Sequence, residues 1–275
     1  MTPEGIFKIS GAEPGKTAIV LAGVHGNEPN GVAAIQSLVA SLSVSFGIVY
    51  LIIGNPRAVE KGVRSTEMNL NRAFRPGALL NAAERGSYER RRALDLMPYF
   101  DMGDALLDLH SSASPQSIPF AICEPHSYPV AERLPVSIRS SGWDTLEPGA
   151  TEYYMNQRGK VGICLECGYH GDTQGVTFAR ESVLTFLSAL GFAPHSAIAS
   201  GIRTQRTVAM FHIHITETDF SPSRAFADFE KVRTGELIGT DGGRSVPAPT
   251  NCVVVFCRER HCPGEEAFLL GREEF

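Results

Sequence analysis

No run of apolar residues in this 275-residue sequence approaches the ~18 that a membrane-crossing helix requires. The start, Met1-Thr2-Pro3-Glu4, lacks the basic segment and apolar stretch of an export signal. Together these absences lead to the expectation of a cytoplasmic protein with no membrane partner. Positive charge is not in excess: the formal net charge of -5 argues against a nucleic-acid partner, although it does not fix the sign of charge inside a single pocket. Cysteine is sparse. Six in a chain of this length, without an export signal, read as free thiols rather than a disulfide framework. Cys164 and Cys167 form a Cys-x-x-Cys pair, but it lies inside the strand-like run 161–167, whereas reactive pairs of this kind sit at helix starts. Cys257 and Cys262 flank His261, yet no second cysteine pair completes a structural zinc set.

What is present is enough apolar material, 43% of residues, to bury a full core. Residues 17 to 24 read as a strand, followed from Pro29 by apolar positions 32, 35, 38, 39 and 42 at helical spacing. The continuous apolar run 46–53 fits a strand covered on both faces, ended by Gly54-Asn55-Pro56. A helix is expected over 79–100, with Arg85, Arg90, Arg91 and Arg92 on its wet face. Further strands are expected at 105–109, 118–123 and 161–167, then a helix over 176–190; Pro and Gly break 124–160 into short pieces. This alternation predicts an α/β fold with a mixed sheet and helices on both faces, here residues 1–195. After a linker over 191–201, short runs separated by Gly, Pro and Asp predict a small all-β domain, 202–275, covering the mouth of a site. His212 and His214 share one face of a strand there, where partner-free histidines are usually ordinary pleat residues.

The chemistry-bearing stretch is His25-Gly26-Asn27-Glu28, which follows the first strand, at the kind of strand end where open α/β sheets place their sites. Alone the pair is ambiguous between two metal ligands and a solvated turn with a helix-start acid. His110 follows the 105–109 strand and supplies a second imidazole, completing a His2Glu set of the type found in catalytic zinc sites. Asp108, two residues earlier, points to the same face and suits a role in holding the imidazole's tautomer. The connection after the second strand carries Arg64, Asn69, Asn71 and Arg72, and guanidinium forks suit carboxylates.

These residues lie in words that resemble the succinylglutamate desuccinylase and aspartoacylase family, relatives of the zinc carboxypeptidases. The words are Gly-Val-His-Gly-Asn-Glu (23–28), Gly-Asn-Pro-Arg-Ala (54–58), Arg64 with Asn-Leu-Asn-Arg (69–72), Asp-Leu-His (108–110) and Gly-Ile-Cys-Leu-Glu-Cys-Gly (162–168), in the family's order. The tail Gly-Glu-Glu-Ala-Phe-Leu-Leu-Gly-Arg (264–272) is similar to the family's C-terminal β domain. The resemblance implies one Zn2+ per subunit on His25, Glu28 and His110, with Glu166 as general base. It implies that Arg64 shares the developing oxyanion with the metal, and that Arg64, Asn71 and Arg72 bind the substrate. The implied reaction is zinc-dependent cleavage of the amide bond of an N-acyl amino acid or related N-acyl compound, a small molecule bearing a carboxylate.

The sequence also departs from the family. Asn69 stands where an acid is often found, and no Tyr follows Tyr169, although the aspartoacylase branch uses one in its C-terminal domain. Arg158, Tyr153 and Tyr154 lie near the place of a further substrate-binding Arg without aligning to it. Gly235 to Pro249 has the look of a lipoyl or biotinyl carrier, but no Lys follows Lys231 to carry the group. Two other readings remain open at this level: a zinc carboxypeptidase acting on short peptides, and a metal-binding module without turnover. The sequence fixes neither the metal loaded, since such sites accept other divalent ions, nor whether the chain forms a homo-oligomer.

Overall fold

Strands β1 (Ile6–Ser10), β2 (Glu13–Ala22) and β3 (Phe46–Ile53) open the fold of the computed structural model, which describes residues 4–192 and 204–274. They are followed by β4 (Ala105–Ser112), β5 (Pro119–Cys123), β6 (Ile138–Ser141) and β7 (Val161–Tyr169). After the undescribed residues come β8 (Arg206–Ile215), β9 (Phe220–Pro222), β10 (Glu230–Val232), β11 (Leu237–Asp241), β12 (Arg244–Pro247), β13 (Cys252–Val255) and β14 (Glu266–Glu274). Eleven strands form one mixed sheet in the order β1-β3-β2-β4-β7-β5-β6-β8-β14-β13-β10, and β12-β11-β9 form a small antiparallel sheet. The mixed α/β architecture expected from the sequence is present. The linker expected over 191–201 lies, beyond Phe192, outside the described residues. β6 before it and β8 after it pair directly, with Ile138 to Ser141 parallel to Arg206 to Ala209.

β2, β3, β4 and β7 run parallel at the centre, so their carboxyl ends open on one edge. Period-2 alternation sends Ala18, Val20 and Ala22 to one face and Ile19 and Leu21 to the other, each fully buried, as in a sheet covered twice. Helices α1 (Pro29–Val39) and α8 (Gly175–Ala189) cover the first face. The second is covered by α4 (Tyr88–Met102) and α7 (Thr151–Asn156). The remaining helices, α2 (Pro56–Lys61), α3 (Ala82–Gly86), α5 (Tyr128–Ala131) and α6 (Trp143–Leu146), are short connectors. On α4 the buried set Ala93, Leu96 and Phe100 follows helical spacing. Each large side chain of this kind contributes about 1.5–3 kcal/mol through burial.

Two expectations change here. The helix expected over 79–100 is divided at Ser87, whose hydroxyl accepts from the Arg90 N–H and so caps α4. Arg92 is not on a wet face: it is 4% exposed, and its guanidinium donates to the carbonyl oxygens of Gly54, Ile53 and Glu4 at 2.8–2.9 Å. Carbonyls left over at the end of β3 thus recruit a buried cation, which helical periodicity alone does not reveal.

Candidate metal centre and substrate cavity

β2 ends at Ala22 and the chain turns at Gly23, φ +68°, a left-handed conformation that favours glycine. Gly26 then packs so closely on the α2 backbone that a Cβ there would come within 2.0 Å of the Ala58 carbonyl carbon. The turn is therefore pinned against the next connection, and the Gly26 N–H donates to the Arg64 carbonyl at 3.3 Å. Glu28 occupies the N-cap of α1 with Pro29 behind it, but its side chain makes no capping bond. Its carboxylate turns into the site instead.

Glu28 Oε1 lies 2.8 Å from His25 Nδ1, and Oε2 lies 3.0 Å from His110 Nδ1 and accepts the Ser111 N–H at 3.0 Å. All three side chains are buried, and their ligand-capable atoms lie within 4.8 Å of one another, so the group could hold a metal ion. The outer nitrogens also face oxygens. His25 Nε2 is 3.0 Å from Asn69 Oδ1, an oxygen that already accepts the Asn71 backbone N–H. An oxygen cannot donate, so Nε2 donates to Asn69 and Nδ1 is the nitrogen turned toward Glu28, where it would ligate an ion. Asp108 Oδ2 stands 3.2 Å from His110 Nε2 and accepts the Thr151 hydroxyl at 2.6 Å, in the arrangement that orients ligating histidines. The donor set therefore fits a divalent cation such as zinc.

Electrostatics follow from this crowding. Burial lowers the His25 pKa, with Arg64 adding to the effect. Burial would also lower His110, but the Asp108 and Glu28 carboxylates hold it well above the usual range. Glu28 is held well below its ordinary value, despite burial, by the two imidazoles. In register, Glu166 on β7 pairs with His110 on β4, which puts a second carboxylate beside the three. Burial pushes Glu166 up to about 7.

The group opens into a cavity of about 570 Å³, lined also by Arg64, Asn71, Arg72 and Glu166. Arg64 Nη1 donates to Glu28 Oε1 at 3.3 Å from a half-exposed position. Asn71 Oδ1 accepts the Thr151 N–H at 3.4 Å. Arg72 Nη2 donates to Glu147 at 2.6 Å and to Glu266 of β14 at 2.9 Å, while Nη1 donates to the Asn71 carbonyl. Burial pushes Glu147 up to about 8 against the pull of Arg72. The same guanidinium holds Glu266 below its ordinary value despite burial.

Sequence reasoning brought these residues together but did not find Glu89. This fully buried carboxylate accepts the Thr66 hydroxyl and the N–H groups of Thr66, Glu67 and Met68 at 2.7–3.2 Å, with Asn55 Nδ2 at 3.2 Å. In return the Tyr88 N–H at the start of α4 donates to Glu67 at 2.6 Å. The connection that bears Arg64 and Asn69 is thus clamped to a helix start. Also missed were Glu147, Glu152 and the C-terminal wall of Phe256, Arg258, Arg260 and Glu266. The one signal for that wall was Arg-x-Arg directly after an apolar run. The other singled-out histidines stand apart from the cavity: His214 Nε2 contacts Asp241 at 3.0 Å and its ring stacks on Phe268. All six cysteines are free.

The model of the succinylglutamate desuccinylase/aspartoacylase catalytic domain matches residues 14–189, more than half of the chain. The chain belongs to this family. It is 25% identical to a succinylglutamate desuccinylase of Shewanella sp. (strain MR-4) over 265 residues, 86% of this chain and 76% of that protein. A probable aspartoacylase of Prochlorococcus marinus (strain AS9601) is 34% identical over 103 residues, and that match spans about a third of each protein: 35% of this chain and 34% of the relative. The fold is that of the crystal structure of a succinylglutamate desuccinylase/aspartoacylase from Rhodobacter sphaeroides. The TM-score is 0.76 at 21% identity, with 98% of this chain and 89% of that one covered. Among the described residues no helix is long and apolar enough to cross a membrane.

Proposed function

We propose that the protein is a zinc-dependent amidohydrolase that removes the acyl group from an N-acyl amino acid or related small N-acyl compound. The observation that carries this is the convergence of His25, Glu28 and His110 on one point, with Glu166 in register beside His110 at the wall of the cavity. When bound there, a zinc ion supplies Lewis acidity to the substrate carbonyl and to the attacking water. The chain's own groups do the rest. Asn69 and Asp108 hold the two imidazoles in orientation. Glu166, raised by burial into the range useful at neutral pH, takes the proton from water and delivers it to the departing nitrogen. Arg64, beside Glu28, faces the charge that develops on the carbonyl oxygen. Asn71 and Arg72 line the cavity and would bind the substrate, and residues of the C-terminal strands, Glu266, Phe268 and Leu269, line it too.

A screen of the zinc-loaded protein against N-acyl amino acids and short peptides, read by mass spectrometry, tests the reading. Release of acyl group and free amine from at least one N-acyl amino acid, with short peptides left intact, is expected. Cleavage of the peptides alone would contradict it.

A further inference from the structure

Four guanidinium groups reach the cavity, and their hydrogen-bonding capacity is spent unequally. Arg72 holds Glu147 and Glu266 through Nη2 and the Asn71 carbonyl through Nη1, so a substrate anion could take that fork only by displacing an ionised glutamate. Arg64 leans on Glu28 at the metal end. Arg260 donates through Nε to the Glu266 carbonyl at 2.6 Å. Arg258 is different: its guanidinium has no hydrogen-bond or ion-pair partner among the described residues, and its Cζ lies 5.2 Å from the centre of the Phe256 ring.

The backbone that presents Arg258 is held at several points. β13 ends at Val255, and Phe256 takes φ +55°, a left-handed conformation that costs a side-chain-bearing residue about 1–3 kcal/mol. Asp228 supports that corner, accepting the Phe256 N–H at 2.8 Å and the Ser117 hydroxyl of the loop after β4 at 2.7 Å. The Phe256 ring lies near those of Phe120 and Trp143, at 5.8 and 6.1 Å between centres. The Arg258 N–H is taken by the Ala267 carbonyl at 3.0 Å. A strained corner with this much support delivers the next side chains into the cavity in a fixed direction.

Charge points the same way. Burial and the neighbouring charge of Arg258 both push the Arg260 guanidinium down, so the two cations, two residues apart, repel each other across shared space. Arg258 also acts on Glu166, drawing its carboxyl down against burial. Partly buried like charges with a fork left open are relieved by an anion that enters between them.

We propose that Arg258, with Arg260 adding to the local field, is the docking point for the substrate's carboxylate and sets the preference for anionic over neutral N-acyl compounds. The identity of the substrate as an N-acyl compound rests on the reading given above, whereas the anion site does not. An arginine on the C-terminal wall then offers the open fork that Arg72, held by Glu147 and Glu266, offers only by exchanging a partner.

Calorimetric titration of the zinc-loaded protein with succinate and with its monoamide, succinamate, tests this without turnover. Both ligands keep one carboxylate for the metal, and only succinate offers a second. The wild type is expected to prefer succinate about tenfold or more, the scale of a charge-assisted hydrogen-bonded pair. Arg258→Ala should reduce that preference to within about twofold, and Arg258→Lys should retain part of it, since a point charge keeps attraction but loses the fork. Thermal melting and zinc content establish that each variant is folded and loaded. Should the alanine variant fail to fold, Arg258→Gln, which keeps the stem and removes the charge, takes its place.

Undiminished preference in a folded variant overturns the proposal, as does a wild type that binds the two ligands equally. On an N-acyl amino acid that the enzyme hydrolyses, Arg258→Ala should raise KM about tenfold, the pattern of lost ground-state binding, with a smaller change in kcat from the lost pull on Glu166. If no N-acyl compound is hydrolysed but the Arg258-dependent preference persists, the deacylase reading fails and the anion site stands. Hydrolysis that discriminates carboxylate from carboxamide without Arg258 gives the reverse.

Discussion

Glu28 and Glu166 are both buried carboxylates beside His110, yet their surroundings separate them. Two imidazoles hold Glu28 ionised and ready to ligate, whereas burial raises Glu166 to about 7, where it can both accept and return a proton. Replacing Glu166 with Gln should leave zinc bound at the wild-type level and lower kcat by about 10²-fold or more, checked by metal analysis alongside turnover. Glu152, buried behind His110, has its pKa pushed to about 7 by burial and by Asp108. Its proton is therefore bound more tightly in the folded state. The stability this contributes is complete below the ordinary 4.5 and is lost as pH rises to about 7. For metal-free protein the loss amounts to at most ~3 kcal/mol, and Glu152→Gln should remove it. Urea unfolding at pH 5 and pH 8 would compare the two proteins, and an unchanged pH dependence would count against the assignment. At this scale the sequence was informative where residue type and position coincide. His25, Glu28 and His110 are ligand types at strand ends, and Glu166 is an acid in an apolar strand. Glu152 and Arg258 have no such mark, because only tertiary packing turns an ordinary surface-type residue toward the cavity.

The elements that carry these residues are held by a few polar clamps. Glu89, at the start of α4, gathers the backbone of residues 66–68 and fixes the connection between β3 and α4. Its several donors hold its carboxyl below the usual value against burial, so its contribution is present above the ordinary carboxylate pKa and fades as pH falls. Glu89→Gln should destabilise the fold by about 2–4 kcal/mol, as expected for losing charge-assisted bonds in a buried place. Zinc affinity should fall with it, since Asn69 on the same connection orients His25; denaturant melts and zinc competition would measure the two effects. Strands β2, β3, β4, β5 and β7 were legible because strands buried on both faces are continuous apolar runs bounded by turn residues. The break of the 79–100 helix at Ser87, and the burial of Arg92, were not. The first is a local cap inside a run of helical periodicity, and the second answers to carbonyls supplied by distant parts of the chain.

Across the whole molecule, one sheet joins the catalytic half to the C-terminal strands, and Arg72 ties them again at the cavity by holding Glu147 and Glu266. Arg72→Met removes a mostly buried cation, its side chain 19% exposed, and leaves two acids facing each other without it. A loss of about 3–5 kcal/mol in unfolding free energy is expected, in the range for breaking a buried ion pair. A loss below 1 kcal/mol would mean the cluster is solvated. The sequence foretold a mixed α/β sheet and a β-rich tail. It did not reveal that β8 runs parallel to β6 in the same ladder, because such pairing depends on contacts far apart in the chain. In the proposed reaction, His25, Glu28 and His110 hold the ion on which hydrolysis depends. Stripping the metal with a chelator and titrating zinc back while following N-acyl amino-acid hydrolysis tests it most directly. No turnover without metal, and a linear rise that levels at one zinc per chain, is predicted; hydrolysis that survives complete removal of metal would contradict it.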